Sequence, residues 1–395
     1  MDDSQAPAGR RLILLLALAA APPFIFILQR LQLGVMGGQW AALADGLNFW
    51  TGAHLALTHR LNILFDPAAY GAYFNAQYGG SLHSWAYPPS YLLLALPFGL
   101  LPPVAGVLLY DALGILALYV ALRACRLPAG LTAAILLCPA TLANLADNQN
   151  GALLAACMVA GLFLAETRPW LGGFLIGLLT VKPQLGLLIP VYWLAAGNWR
   201  AIAAAGVTAL CLVALSTAAF GWSCWVAFVL KIMPFMDYVM NQLTAKLYGP
   251  RAMILSPYSL AQQLHLAAGA ARALQAGITV VAIACAFALG RLRSLQGQTR
   301  LACLILLTSL ATPYIWYYDM IPASLAAVWL MLPGLQLSNR YGAGERLAFA
   351  GLWITPGIAA QAAMLSLPTF MPVFVAAMLF MAASAVFKSC RPAQD

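Results

Sequence analysis

Long apolar stretches alternate with short polar connections along almost the whole chain of 395 residues. The apolar stretches lack a period-two alternation, and several approach the roughly 20 residues that a helix needs to cross a membrane. This pattern predicts an all-α polytopic membrane protein with about twelve transmembrane helices. The expected spans lie near residues 12–29, 103–124, 130–143, 150–166, 170–181, 184–196, 200–219, 271–289, 300–312, 320–334, 347–362 and 369–388.

Composition supports the same fold class, because 63% of the residues are hydrophobic and only 8% are charged. A soluble domain has roughly a quarter of its residues charged. The net charge of +9 is not arranged as a basic stretch interleaved with aromatic residues, so no nucleic-acid partner is expected. Most of the eight cysteines lie in or beside apolar helices without a CxxC pair, which favours buried thiols over disulfides.

The loops divide into two sets with thirteen and seven Lys and Arg residues. The richer set is expected to face the cytoplasm, with both chain ends on that side. Two long connections, 30–102 and 220–270, then face the periplasm of a bacterial inner membrane. The chain reads as a single transmembrane domain over residues 1–395, with the first segment an uncleaved span rather than a signal peptide, because "APP" is a poor cleavage site.

Lys182 interrupts the apolar run "LIGLLTVKPQLGLLIP" at residues 175–190. An ammonium in hydrocarbon costs several kcal/mol unless it is paired, faces a watery cavity or extends to the interface. We expect Lys182 to cap a helical hairpin that points toward the periplasm, where Asp147 and Asp319 mark the tips of two other hairpins. The three hairpins together predict a polar site at that face.

The first long loop contains three predicted helical segments. Apolar and polar residues mix over 45–59 as in an amphipathic helix that lies on the membrane. Asp66 is expected to cap a second such helix and to pair with Arg60. The apolar stretch over residues 87–103 is too short to cross and is bounded by prolines, which predicts a re-entrant or interfacial helix. Asp45 either caps the first helix or accepts a proton from a substrate hydroxyl.

Six sequence motifs occur in order over about two thirds of the chain. They are "ADGLNFWTGAHLAL" (44–57), "LFDPAAY" (64–70), "YPPSYLLLALPFGLLP" (87–102), "NQNGALLAA" (148–156), "GGFLIGLLTVKPQLGLLIPVYWLAAGNWR" (172–200) and "LATPYIWYYDM" (310–320). In this order they resemble the membrane glycosyltransferases of family 87 (DUF2029), which belong to the GT-C superfamily and include polyprenyl-phosphate-mannose-dependent mannosyltransferases. Three positions depart from the family pattern: Ala44 and Asn148 stand where glycine is frequent, and Tyr317 replaces an acidic residue.

The resemblance implies a GT-C-like helical bundle and an inverting sugar transfer. The donor would be a polyprenyl-phosphate-linked sugar, a hexose such as mannose, and the acceptor a lipid or glycan at the periplasmic face. Asp45 matches the family's general base. Which sugar is moved, and to which acceptor, is not readable from the sequence.

Such a reaction also needs positive charge on the departing phosphate and polar groups for the sugar. Lys182 is the first candidate for the phosphate, with Lys246 and Arg251 second. The other expected substrate-binding residues are Asp147, Gln149, Asn150, Tyr317 and Asp319. No metal-ligand spacing and no nucleotide-binding glycine loop occurs, so no cofactor is expected, although a divalent metal stays open. A lipid or polysaccharide transporter or flippase is the alternative function; it predicts internal repeats, and none is convincing.

Overall fold

The computed structural model describes residues 20–29, 32, 44–79, 84–239, 252–293, 295–336 and 342–389. Within these ranges the fold is helical throughout and contains no strand, which confirms the predicted all-α class. The helices are α1 (Ala20–Gln29), α2 (Ala44–Leu57), α3 (Leu61–Leu64), α4 (Pro67–Tyr78), α5 (Pro89–Gly99), α6 (Pro103–Ala124), α7 (Ala129–Leu136), α8 (Pro139–Ala146), α9 (Gly151–Ala165), α10 (Pro169–Leu178), α11 (Ile189–Ala196), α12 (Trp199–Phe220), α13 (Trp222–Ala227), α14 (Met233–Tyr238), α15 (Pro257–Gln263), α16 (Ala268–Arg291), α17 (Gly297–Ala311), α18 (Ile321–Gln336), α19 (Ala343–Met364) and α20 (Met371–Ser389).

Four of the described helices, α6, α12, α16 and α19, are long and apolar enough to cross a membrane. The pair α7 and α8, bent by 43° at its break, raises the number to five if it forms one span. The expected count of twelve is therefore not confirmed. Several expected spans are shorter helices, because prolines and 3₁₀ turns interrupt them; the apolar run around Lys182, for example, is divided into α10, two 3₁₀ turns and α11.

Helix α9 occupies the centre of the protein and packs against α6, α8, α10 and α18. Most of its residues are buried, so its 15-residue length need not match the bilayer. Small residues allow the close approach of its neighbours: a side chain at Gly172 would overlap the backbone of Ala165. At the far end of α9, Glu166 forms an ion pair with Arg300 of α17 at 3.1 Å.

Helix α2 is buried on most of its surface between α5 and α6, so the expected amphipathic helix over 45–59 does not lie with one face exposed. Its fully buried residues include polar Thr51 as well as Leu47 and Leu55. The mixture of polar and apolar residues predicted a helix on the membrane surface. In the structure these polar and small side chains are packed inside the protein. Helix α4 does bury one side, through Tyr70 and Phe74.

Asp66 caps α4 as predicted: its carboxylate accepts a hydrogen bond from the Ala69 amide at 3.1 Å. The expected Arg60–Asp66 pair is wrong. Asp66 pairs instead with Lys231 at 3.0 Å, and Arg60 lies over the Tyr73 ring at 4.9 Å.

The Ala69 amide and then Lys231 lower the pKa of Asp66 below its ordinary value. The stabilisation from this charged cap is thus fully present above the ordinary carboxyl pKa and is lost as the pH falls through the lowered value. The Asp66–Lys231 pair joins the two long loops, and its two residues lie 165 positions apart in the chain.

Helix α5 has 11 residues and cannot cross a membrane alone, in agreement with the re-entrant or interfacial prediction. It packs on α2, α6 and α12. The second long loop continues α13 through a π-helical turn at 228–232 into α14. Farther along, the Leu255 amide donates to the Ile315 carbonyl at 2.8 Å, and the Tyr317 amide donates to the Met253 carbonyl at 3.0 Å.

The described cysteines are free thiols, and five of the seven are buried, as expected for apolar filling rather than for disulfides.

We expect Gly173→Ala to destabilise the protein, since the added Cβ would lie 2.3 Å from the Ala201 carbonyl oxygen and 2.6 Å from the Ala204 Cβ. Helices α10 and α12 would have to separate, at a cost of about 1–3 kcal/mol. Thermal unfolding in detergent measures this as a lower Tm. The control is Gly206→Ala in α12, where nothing lies within 4 Å of the new Cβ. Equal Tm values for the two variants would contradict the proposed close packing.

Candidate active site

The centre of the site is a buried ion pair between Lys182 and Asp319. The Lys182 Nζ lies 2.7 Å from one carboxylate oxygen of Asp319 and 2.8 Å from the other. The two side chains are 7% and 0% exposed. Lys182 is therefore paired inside the protein and does not extend to the membrane interface, which answers why a lysine occurs in an apolar run.

Local backbone breaks position both partners. Lys182 lies between two 3₁₀ turns, at Leu179–Val181 and Pro183–Gly186, where Pro183 prevents the helix from continuing. Asp319 ends the 3₁₀ turn Tyr317–Asp319, and the backbone amide of Trp316 donates to its carboxylate at 3.3 Å. Each charge therefore lies where the helical backbone is interrupted, next to a 3₁₀ turn.

Tyr318 forms one wall of this pair. Its ring lies 5.1 Å from the Lys182 Nζ, a cation–π contact, and stacks parallel to the Trp316 indole with centroids 5.9 Å apart. The aromatic rings help to keep water away from the amine. The attraction between the two charges is therefore stronger than it would be in water.

The Tyr318 hydroxyl also shows that the acidic residues converge. Burial raises its pKa, and nearby Tyr87 and three carboxylates raise it further. These carboxylates belong to Asp319, Asp45 and Asp147, which come from three distant segments of the chain. The Tyr318 hydroxyl thus lies within electrostatic range of the predicted acids Asp147 and Asp319 and of the candidate base Asp45.

Asp45 lies in the first turn of α2 and accepts a hydrogen bond from Gln149. The Gln149 Nε2 donates to the Asp45 Oδ2 at 3.3 Å across 104 positions of sequence. Gln149 belongs to the turn 147–150 between α8 and α9, in which Asp147 is buried at the end of α8. The "NQNG" motif therefore faces the candidate base.

Glycine at position 151 is required by close packing. A Cβ there would lie 2.2 Å from the Tyr318 carbonyl oxygen, so the start of α9 touches the turn that carries Asp319. Asn144 fixes the same point by accepting a hydrogen bond from the Ala152 amide at 3.1 Å.

Asn150 is fully buried next to the hydroxyls of Tyr87 and Tyr91, yet neither atom of its amide group completes a hydrogen bond with good geometry. The Tyr91 hydroxyl is 2.7 Å from that of Tyr110 in α6. Tyr87 and Tyr91 are the first and last residues of the "YPPSY" motif. The sequence motif was recognised, but no role was predicted for either tyrosine.

The remaining predicted site residues have different outcomes. Tyr317 is buried, with its ring 5.2 Å from that of Tyr318, and its backbone is hydrogen bonded to Met253. Lys246 and Arg251 lie outside the described residues. In the part of the chain that is described, no group of three His, Cys, Asp or Glu side chains is placed to hold a metal ion.

The fold and the site define a membrane protein of apolar helices with a buried polar centre. Residues 85–313 match the model of glycosyltransferase family 87, and because this is more than half of the chain, the protein belongs to that family. It is accordingly a glycosyltransferase. No curated protein and no solved structure matches the chain. The matched stretch contains Lys182 and Gln149 but neither Asp45 nor Asp319, which the structure adds to the site.

Removing one partner of the ion pair should strongly destabilise the protein. Lys182→Met leaves Asp319 buried without its cation, which costs about 3–5 kcal/mol in comparable pairs. Lys182→Met combined with Asp319→Leu should recover most of this loss, because neither charge remains. Thermal unfolding of the two variants in detergent measures the difference.

The exposed pair provides the matched control. Lys231→Met removes the partner of Asp66, and exposed pairs contribute no more than about 1 kcal/mol. If Lys182→Met and Lys231→Met lowered Tm equally, the buried pair would not be the dominant interaction that its geometry indicates.

Proposed function

We propose that this glycosyltransferase moves a sugar, a hexose such as mannose, from a polyprenyl-phosphate-linked donor to a lipid or glycan acceptor, with inversion at the anomeric carbon. The reaction takes place at the periplasmic face of a bacterial inner membrane. The single observation that carries the proposal is the convergence of Asp45 and the Lys182–Asp319 pair around Tyr318. In this proposal the base acts on the acceptor hydroxyl and the cation acts on the phosphate of the donor.

Asp45 acts as the general base in this proposal. The acceptor hydroxyl gives its proton to the carboxylate as its oxygen attacks the anomeric carbon, and the bond from that carbon to the phosphate oxygen breaks. Gln149 holds one carboxylate oxygen of Asp45, which restricts the direction in which the proton is accepted.

Lys182 stabilises the negative charge that develops on the departing polyprenyl phosphate. Two of its three N–H donors point to Asp319, which leaves a third for a phosphate oxygen. Asp319 holds the ammonium in place among apolar neighbours. Asp147, Asn150 and Tyr317 line the same region and are the proposed contacts of the sugar, with Lys246 and Arg251 as further phosphate ligands.

An apolar groove supports a lipid-linked substrate. It has a volume of about 480 Å³ and is open on the side of α6. Its lining is Asp111, Ala112, Ile115, Leu116, Tyr119, Leu136 and Leu145. Leu116 and Tyr119 are about half exposed on a helix that is long enough to cross a membrane, where hydrocarbon chains are the surrounding solvent.

The asymmetry of thirteen against seven Lys and Arg residues in the loops supports the periplasmic side and the cytoplasmic position of both ends. No observation favours the transporter or flippase alternative.

Asp45→Asn should abolish release of polyprenyl phosphate from a labelled lipid-linked sugar in membranes that contain the protein. The amide cannot accept the proton, and loss of a general base lowers rates by roughly 10²–10⁴-fold. Protein abundance should remain unchanged. The control is Asp66→Asn, the same substitution at an exposed carboxylate that caps α4, which should retain the release rate of the wild type. Wild-type release by Asp45→Asn would remove Asp45 from the base role.

Cells that lack the gene should lose one sugar from a lipid-linked or surface glycan, because no transfer then occurs. Mass spectrometry of these glycans from cells with and without the gene identifies the sugar. A mass difference of one hexose agrees with the proposed donor sugar. A mass difference of one pentose would show that the donor carries a pentose instead. An unchanged set of glycans contradicts the proposed reaction.

A further inference from the structure

Asn148 holds an uncommon backbone conformation in the turn that carries Gln149. Its φ is +52°, in the left-handed region, where glycine is favoured and asparagine is among the best tolerated other residues. Asparagine therefore satisfies the backbone requirement where the resembling family frequently has glycine. Unlike glycine, it also brings a side chain that makes contacts.

That side chain binds a carboxylate of the transmembrane helix α6. The Asn148 Nδ2 donates to the Asp111 Oδ2 at 2.6 Å, and both residues are buried. The same nitrogen lies 3.4 Å from the Leu145 carbonyl oxygen in α8. Asp111 thus connects α6 to the end of α8 through a single asparagine.

The first turn of α2 packs directly on this pair. A Cβ at Gly46 would lie 2.8 Å from the Asn148 Cβ and 2.5 Å from the Val107 side chain. Asp45, which precedes Gly46, is therefore held against the turn from the other side. Asp111 of α6 is hydrogen bonded to Asn148, and Asp45 of α2 is hydrogen bonded to the next residue, Gln149.

Gln149 follows Asn148, so the left-handed φ of residue 148 sets the direction in which Gln149 leaves the turn. Its backbone amide donates to the Asn144 carbonyl at 3.0 Å, and its side chain reaches Asp45 at 3.3 Å. The contact with Asp45 is near the long limit for a hydrogen bond. A small rotation of the turn would break it.

We propose that Asp111 and Asn148 are positioning residues, which fix the 147–150 turn so that Gln149 orients the carboxylate of Asp45. The expected effect on turnover rests on the proposed function, in which Asp45 is the base. The inference that Asp111 and Asn148 fix the position of Gln149 is independent of that function.

Burying Asp111 is energetically unfavourable for the fold, which supports a role for this residue in the site and not in stability. Its second oxygen, Oδ1, is buried without a hydrogen-bond partner, and so is the Oδ1 of Asn148. A buried polar group left unpaired is destabilising, and ionisable residues inside membrane helices are rare where they have no function. A leucine at this position of α6 would remove the ionisable group and its unpaired oxygen, but it would leave the Asn148 amide without its acceptor and could not hold the turn.

A double-mutant cycle tests the proposal. Asp111→Leu and Gln149→Ala should each lower kcat about tenfold, the effect of losing a hydrogen bond to a charged group. The double variant should be no slower than Gln149→Ala alone, because Asp111 acts through Gln149. Asp111→Asn retains an acceptor for Asn148 and should restore most of the rate. Multiplying effects, or no rescue by asparagine, would overturn the proposal.

A second variant and a structural measurement do not depend on turnover. Asn148→Gly keeps the left-handed backbone accessible and removes only the side chain, so it should fold. Structures of Asn148→Gly and Asp111→Leu should show the Gln149 Nε2 beyond hydrogen-bond distance from the Asp45 Oδ2. An unchanged contact in both would overturn the positioning role. If the wild type moves no sugar, the proposed function fails, while this measurement still decides the positioning role.

Discussion

The ion pair between Lys182 and Asp319 is the interaction on which the site depends. Two charges 137 residues apart are removed from water, and neither would be tolerated there alone. Their mutual contact requires α10 and α11 to break at Lys182 and the chain before α18 to form a 3₁₀ turn. The interruptions that prevent these segments from being ordinary spans are therefore the means by which the charges meet.

Close packing of small residues holds the other half of the site. Gly151 brings the start of α9 against the Tyr318 carbonyl, and Gly46 brings the first turn of α2 against Asn148. A Cβ at either position would overlap existing atoms: the Tyr318 carbonyl at Gly151, and the side chains of Val107 and Asn148 at Gly46. The absence of a side chain at these two glycines therefore allows α2, the 147–150 turn and the turn that carries Asp319 to approach closely.

The sequence was sufficient to predict the all-α membrane class and many helix positions, because hydrophobic run length is a local signal. It also assigned Lys182 and Asp319 to one polar site, where the structure has them in contact. It did not predict that Lys182 and Asp319 pair with each other, since each charge alone was explained by a substrate. Nor did it predict the burial of α2 or the Asp66–Lys231 pair. These depend on which distant segments become neighbours, and residue spacing along one chain does not carry that information.

The short antiparallel bridge between Ile254 and Trp316 has a mechanical consequence. Backbone hydrogen bonds on both sides of it attach the segment before α15 to the turn that ends in Asp319. Any shift of residues 253–255 would therefore also move the turn that holds Asp319, the counter-ion of Lys182.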